Sequence, residues 1–82
     1  MRSMADHPFR RPSGDAGRRL RTWRELRRKQ REREAMLLDL GALVYELHRL
    51  GRRAPELLQE KAVELGKVDQ DVRALEDALE GR

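Results

Sequence analysis

The 82-residue sequence predicts an all-α protein, an antiparallel two-helix hairpin of coiled-coil type. Three features predict it. Apolar residues recur at alternating three- and four-residue spacing through two long segments. A short glycine-to-proline break, Gly51 to Pro55, separates those segments. Charged residues make up 41% of the chain against 38% hydrophobic, a balance that suits long solvated helices better than an α/β domain.

Residues 1–16 hold His7-Pro8, Arg11-Pro12 and Ser13-Gly14-Asp15 and offer almost nothing to bury, so they are expected to form a disordered basic arm. Asp15 is placed to cap the helix that follows. From 17 to 50 the pattern is helical. With Leu37 at heptad position a, the a and d positions are Trp23, Leu26, Gln30, Arg33, Leu37, Leu40, Val44 and Leu47. Gly51 sits where a left-handed cap ends such a helix, and residues 51–54 make the turn. Pro55 and Glu56 suit the first turn of a second helix, expected over 55–80. Its own a and d positions are Leu58, Lys61, Leu65, Val68, Val72, Leu75 and Leu79, with Gly81 ending it.

A connection this short makes the helices antiparallel neighbours. With the turn centred near Arg52 and Arg53, facing residues have numbers adding to roughly 105. Leu47 then faces Leu58, Leu40 faces Leu65, Leu37 faces Val68 and Leu26 faces Leu79. The first helix overhangs its partner by about two turns at ~1.5 Å per residue, leaving Trp23 near the edge and Leu20 beyond it.

Between Met36 and Leu50 the first helix is apolar around more of its circumference than one neighbour can cover. Met36, Leu43 and Leu50 fall on position g, and Leu38 and Tyr45 on b, outside the a/d seam. The second helix adds only Leu57, Ala62 and Ala78 to its own seam. Each large apolar side chain left in water forgoes roughly 1.5–3 kcal/mol. A further helical layer is therefore expected, either a second copy completing a four-helix bundle or a helical protein partner. The expected protein interface comprises Met36, Leu37, Leu38, Leu40, Leu43, Val44, Tyr45, Leu47 and Leu50, with Leu58, Leu65, Val68, Val72 and Leu75. Gly41 within the apolar section suggests close helix approach, because an idle helix glycine costs up to ~1 kcal/mol against alanine.

Charge is segregated. Residues 18–33 carry nine basic and two acidic side chains, a net +7, whereas 34–82 carry seven basic and eleven acidic ones, a net −4. Asp69, Asp71, Glu76, Asp77 and Glu80 lie alongside part of this basic stretch in the antiparallel register, so some arginines are expected to pair across the hairpin. Five carboxylates cannot neutralise nine cations. Arg18, Arg19, Arg21, Arg24, Arg27 and Arg28 are thus candidates for contact with an anionic partner. Three partners compete: a nucleic-acid backbone without base choice, an anionic membrane surface met by Leu20, Trp23 and Leu26, and an acidic protein.

Catalytic chemistry is not expected. Cysteine is absent, which excludes disulfides and thiolate metal sites. His7 and His48 are far apart, and no nucleophile–base pair, metal-ligand spacing or phosphate-cradling loop appears. His48 reads as a flanking residue near the turn and Lys61 as a snorkelling side chain or register device. No cofactor, metal or small-molecule substrate is implied. No secretory signal is visible and the longest apolar runs are too short to span a bilayer, so a cytoplasmic location is the expectation.

The stretch LLDLGALVYELHR, Leu37 to Arg49, together with LLQEKAVELGKVDQDVRALE after the turn, resembles short uncharacterised helical-hairpin proteins of actinobacteria and related lineages. The likeness covers roughly Arg18 to Leu79. In that group a basic lead-in precedes the helical pair, and some members continue into a cysteine-rich zinc ribbon. The resemblance implies the hairpin but no catalytic motif. With no cysteine in this sequence, a ribbon-dependent role does not carry over.

Overall fold

The structure, a computed structural model, describes residues 14–81. Among them are two helices, α1 (Gly14–Arg49) and α2 (Pro55–Leu79), and no strand. The helices pack side by side as an antiparallel hairpin. α1 begins at Gly14 rather than near 17, so Asp15 lies inside the helix and not ahead of it. The arm expected over 1–16 otherwise falls outside the described residues.

The turn is built from local hydrogen bonds. Gly51 adopts φ +67°, the left-handed conformation in which a Cβ would be strained. Its N–H donates to the His48 carbonyl at 3.0 Å and the Arg52 N–H donates to Leu47 at 2.8 Å. Together they form the paired bonds of a Schellman cap. Pro55 opens α2 at a position where its missing N–H has no partner to lose. Ala54 offers no capping side chain, but its carbonyl accepts the Leu58 N–H at 3.0 Å and starts the helical ladder.

α2 buries the stripe its spacing marks. Val72 is fully enclosed, Val68 is buried, and Leu58, Leu65, Leu75 and Leu79 are half-buried. Lys61 breaks the stripe and stays exposed.

α1 is rotated from its expected phase. Leu26 is buried, and Thr22, Lys29, Arg33, Met36, Leu40, Leu43 and Leu47 are half-buried. These residues occupy positions d and g; of the a positions only Gln30 is half-buried as well, with Glu25 at c. Met36 and Leu43, expected outside the pair, face α2 across a cavity of ≈390 Å³ shared with Asp39, Leu40, Lys61 and Glu64. Leu37 and Val44, expected in the seam, are about half exposed. Near the turn both phases are equally apolar. Farther along, position g places Lys29 within 3.2 Å of Asp71, a pair that the a/d phase did not anticipate.

The register differs as well. Arg33 bonds Asp69 at 2.9 Å, Lys29 meets Asp71, and the Arg19 guanidinium donates to the Leu79 carbonyl at 2.9 Å. These pairs have numbers adding to 102, 100 and 98 rather than 105. Leu79 consequently lies beside Arg18, Arg19 and Thr22, around a cavity of ≈330 Å³, and does not face Leu26. Arg18 and Arg19 are therefore level with the end of α2 instead of projecting past it.

The buried core comprises only Leu26, Val68 and Val72 among the described residues. Val72→Ala is expected to lower stability by about 2 kcal/mol, through lost transfer energy and a residual cavity. Gly51→Ala should cost about 1 kcal/mol through left-handed strain. Val63→Ala, at an exposed site, should stay within about 0.5 kcal/mol. Denaturant titration followed by helical circular dichroism measures all three.

Candidate interaction surfaces

The rotation of α1 decides what it displays. With d and g turned towards α2, positions a, e and b face outward along the whole helix. Towards the turn this outward face is apolar. Leu37, Leu38, Val44 and Tyr45 are between 47% and 68% exposed and surround Gly41. A Cβ built on Gly41 meets nothing within 4 Å, so the close approach expected there is not with α2. Leu37 also lines a groove of ≈320 Å³ with Ala62, Leu65, Gly66, Arg33 and Asp69. Large side chains on α1 and small ones on α2 thus share one side of the hairpin. Leu50, at the turn, is exposed too.

Towards the N-terminal end the same face is basic. Arg21, Arg24, Arg27, Arg28 and Arg31 line a shallow hollow of ≈590 Å³ with Trp23 and Glu25. The Arg27 guanidinium lies 5.0 Å from the centre of the Trp23 ring, a cation–π distance. Trp23 remains 48% exposed. Arg28 is ion-paired to Glu25 one turn earlier on the same helix.

The remaining cations of the basic stretch are engaged by the fold. Arg33 and Arg73 both hold Asp69, at 2.9 and 2.8 Å. Lys29 meets Asp71, with Glu32 at 3.7 Å. Arg19 serves the last turn of α2. Of the six arginines expected to contact an anionic partner, Arg21, Arg24, Arg27 and Arg28 share the hollow, whereas Arg18 and Arg19 lie by the α2 terminus. Arg31, part of the basic stretch 18–33 but not one of those six, also belongs to the hollow. Its spacing from Arg24 and Arg28, seven and three residues, was the signal that could have found it.

Among the described residues no group of three or more His, Asp or Glu gathers to hold a metal ion, and no helix is long and apolar enough to cross a membrane. His48 is exposed beside the turn, where it lines a cavity with Val44, Leu47, Arg52 and Leu58. No protein-family model matches the chain, and no curated protein or solved structure matches it either.

The cross-helix pairs also give the hairpin a pH dependence. The hydrogen bond from Arg33, and then that from Arg73, hold the Asp69 carboxyl below its usual range. Stability from this group is full above the unfolded carboxylate value of about 3.9 and is lost as pH falls through the lower folded value. Lys29 is raised, chiefly by its hydrogen bond to Asp71. Its contribution is full below the unfolded value of about 10.4 and is lost as pH rises through the folded one. Thermal melts should show a plateau between these limits and a decline on either side. Asp69→Asn should make the acid limb shallower, leaving the part due to Glu25, which its hydrogen bond to Arg28 also holds low, and should leave the alkaline limb in place.

Proposed function

We propose that the protein is a non-enzymatic helical interaction module that pairs with a second copy of itself. The outward apolar stripe of α1 forms the contact, and the product is a twofold four-helix bundle. The observation that carries this reading is the exposure of Leu37, Leu38, Val44 and Tyr45 on a hairpin with only three buried apolar side chains among its described residues. Half-exposed side chains of this size each gain about 1 kcal/mol when covered. A hairpin with so small a core gains much of its stability in this way.

Two features favour a second copy over an unrelated helix. The face is self-complementary in kind, because bulky residues of α1 lie beside the groove floored by Ala62 and Gly66. A twofold contact brings each feature onto the other. Charge then selects the orientation. Side-by-side parallel packing would bring two +7 segments together. An antiparallel crossing centred on Gly41 sends them to opposite ends and sets Glu34 of one copy against His48 of the other. Glycine at the crossing lets two backbones approach closely.

Sedimentation equilibrium over a wide concentration range tests the proposal, with dimerisation expected. Gly41→Ala separates the two roles of that residue. In the solitary hairpin it should strengthen α1 by up to ~1 kcal/mol, yet at a close crossing it should weaken the dimer about tenfold, or ~1.4 kcal/mol. Leu38→Glu with Tyr45→Glu should leave a folded monomer. A parent chain that stays monomeric at high micromolar concentration overturns the reading.

A further inference from the structure

We propose that the N-terminal half of the outward face of α1 is a binding surface for the phosphate backbone of double-stranded DNA. Arg21, Arg24, Arg27 and Arg31 carry the contact. This inference does not rest on self-association, since each copy holds the whole surface.

The first argument is one of elimination within the basic stretch. Arg33 and Lys29 are held by Asp69 and Asp71, Arg28 by Glu25, and Arg19 by the Leu79 carbonyl. Arg21, Arg24 and Arg31 have no acidic partner among the described residues, and Arg27 lies over the Trp23 ring. The four share one side of the helix and line one hollow. From Arg21 to Arg31 is ten residue steps, or ~15 Å at the helical rise.

The second argument is that this arrangement is unfavourable for the isolated helix. Arginines three, four and seven residues apart repel one another. A dense polyanion relieves this repulsion. Duplex DNA presents a charge every ~1.7 Å of axis, so a ~15 Å row of guanidinium groups meets more phosphates than it needs.

Shape and composition narrow the partner further. The major groove of B-form DNA, ~12 Å wide, admits a helix of ~10–12 Å diameter, whereas the deep, narrow major groove of duplex RNA does not. A membrane surface fits less well. Interfacial helices segregate an apolar face from their cations, but here Arg24 and Arg27 flank Trp23 and Arg27 covers its ring. With Arg27 over one face, the indole has only its other face to offer an unpaired base.

The test is fluorescence anisotropy of the full chain against a labelled duplex DNA of ~20 base pairs, titrated at several salt concentrations. With four phosphates neutralised, affinity should fall about a hundredfold between ~50 and ~200 mM salt. Replacing Arg21, Arg24, Arg27 and Arg31 together by Gln should weaken binding at least tenfold and lower the salt slope by about 3–4. Lys29→Gln with Arg33→Gln, at residues engaged by α2, should leave the slope within about 1 of the parent. Circular dichroism checks that each variant folds. Should the fourfold variant lose helicity, Arg24→Gln and Arg31→Gln singly must each lower the slope by about 1.

Undiminished binding by the substituted chains overturns the proposal, as does a lack of DNA affinity at ~50 mM salt. Tighter binding to duplex RNA than to duplex DNA overturns it in favour of RNA. A blue shift of Trp23 emission on anionic phosphatidylserine vesicles but not on neutral phosphatidylcholine ones, without DNA binding, overturns it in favour of a membrane. A monomeric chain that still binds DNA leaves this proposal standing and defeats only the dimer.

Discussion

One helix can cover only about a third of another's circumference, and α1 is apolar around more than that between Met36 and Leu50. The rest of the molecule follows from how this excess is divided. α2 has a single apolar stripe, with Val68 and Val72 at the best-packed part of the seam. It takes Met36, Leu40, Leu43 and Leu47 from α1 and leaves Leu37, Leu38, Val44 and Tyr45 outside. Had the choice gone the other way, Met36 and Leu43 would be the exposed pair and an equal surplus would remain. The excess belongs to the sequence of α1, and the fold decides only which side displays it.

Charge pairs contribute where the seam stops being apolar. Lys29 and Arg33 occupy positions that a continuous coiled coil would fill with leucine, and each reaches an aspartate of α2 instead. Such exposed pairs add little stability. Their greater effect is on register, since a shift of α2 by one helical turn would separate both pairs at once. Asp69, shared by Arg33 and Arg73, ties this register to the surface of α2 itself. The cations left over are those on the far side of α1, which α2 cannot reach.

Local signals were legible in the sequence, and long-range geometry was not. Gly51 and Pro55 announce the turn because a left-handed cap and a first helical turn each depend on one residue's backbone chemistry. The seam of α2 was legible because its a and d positions, Lys61 apart, are apolar while most of their neighbours are charged. The phase of α1 was not. Met36 adjoins Leu37 and Leu43 adjoins Val44, so two phases, a/d and d/g, bury equally good sets. The register inherited the same ambiguity, as did the overhang that placed Arg18 and Arg19 beyond α2. Within the hairpin the spacing exchanged inner for outer at Leu37, Val44, Met36 and Leu43. The charge run 18–33 contains Arg31 but marks a segment, and only the helix phase places it on one face with Arg24 and Arg27.

A single rotation thus sets both halves of the outward surface. The face that carries Leu37 and Val44 near the turn is, about three to four turns before Leu37, the face that carries Trp23, Arg24 and Arg27. Turning α1 by the ~100° that separates successive residues would hide the leucines and carry the arginines towards the carboxylates of α2. An apolar patch and a cationic patch in line on one rigid helix are therefore positioned by the same seam. They differ in what they lack. The apolar half lacks a covering layer that removes it from water. The basic half lacks counter-charge, which a covering layer of arginine-rich helix would worsen. The proposed second copy meets the first need at the apolar half, and the proposed polyanion meets the second at the basic half.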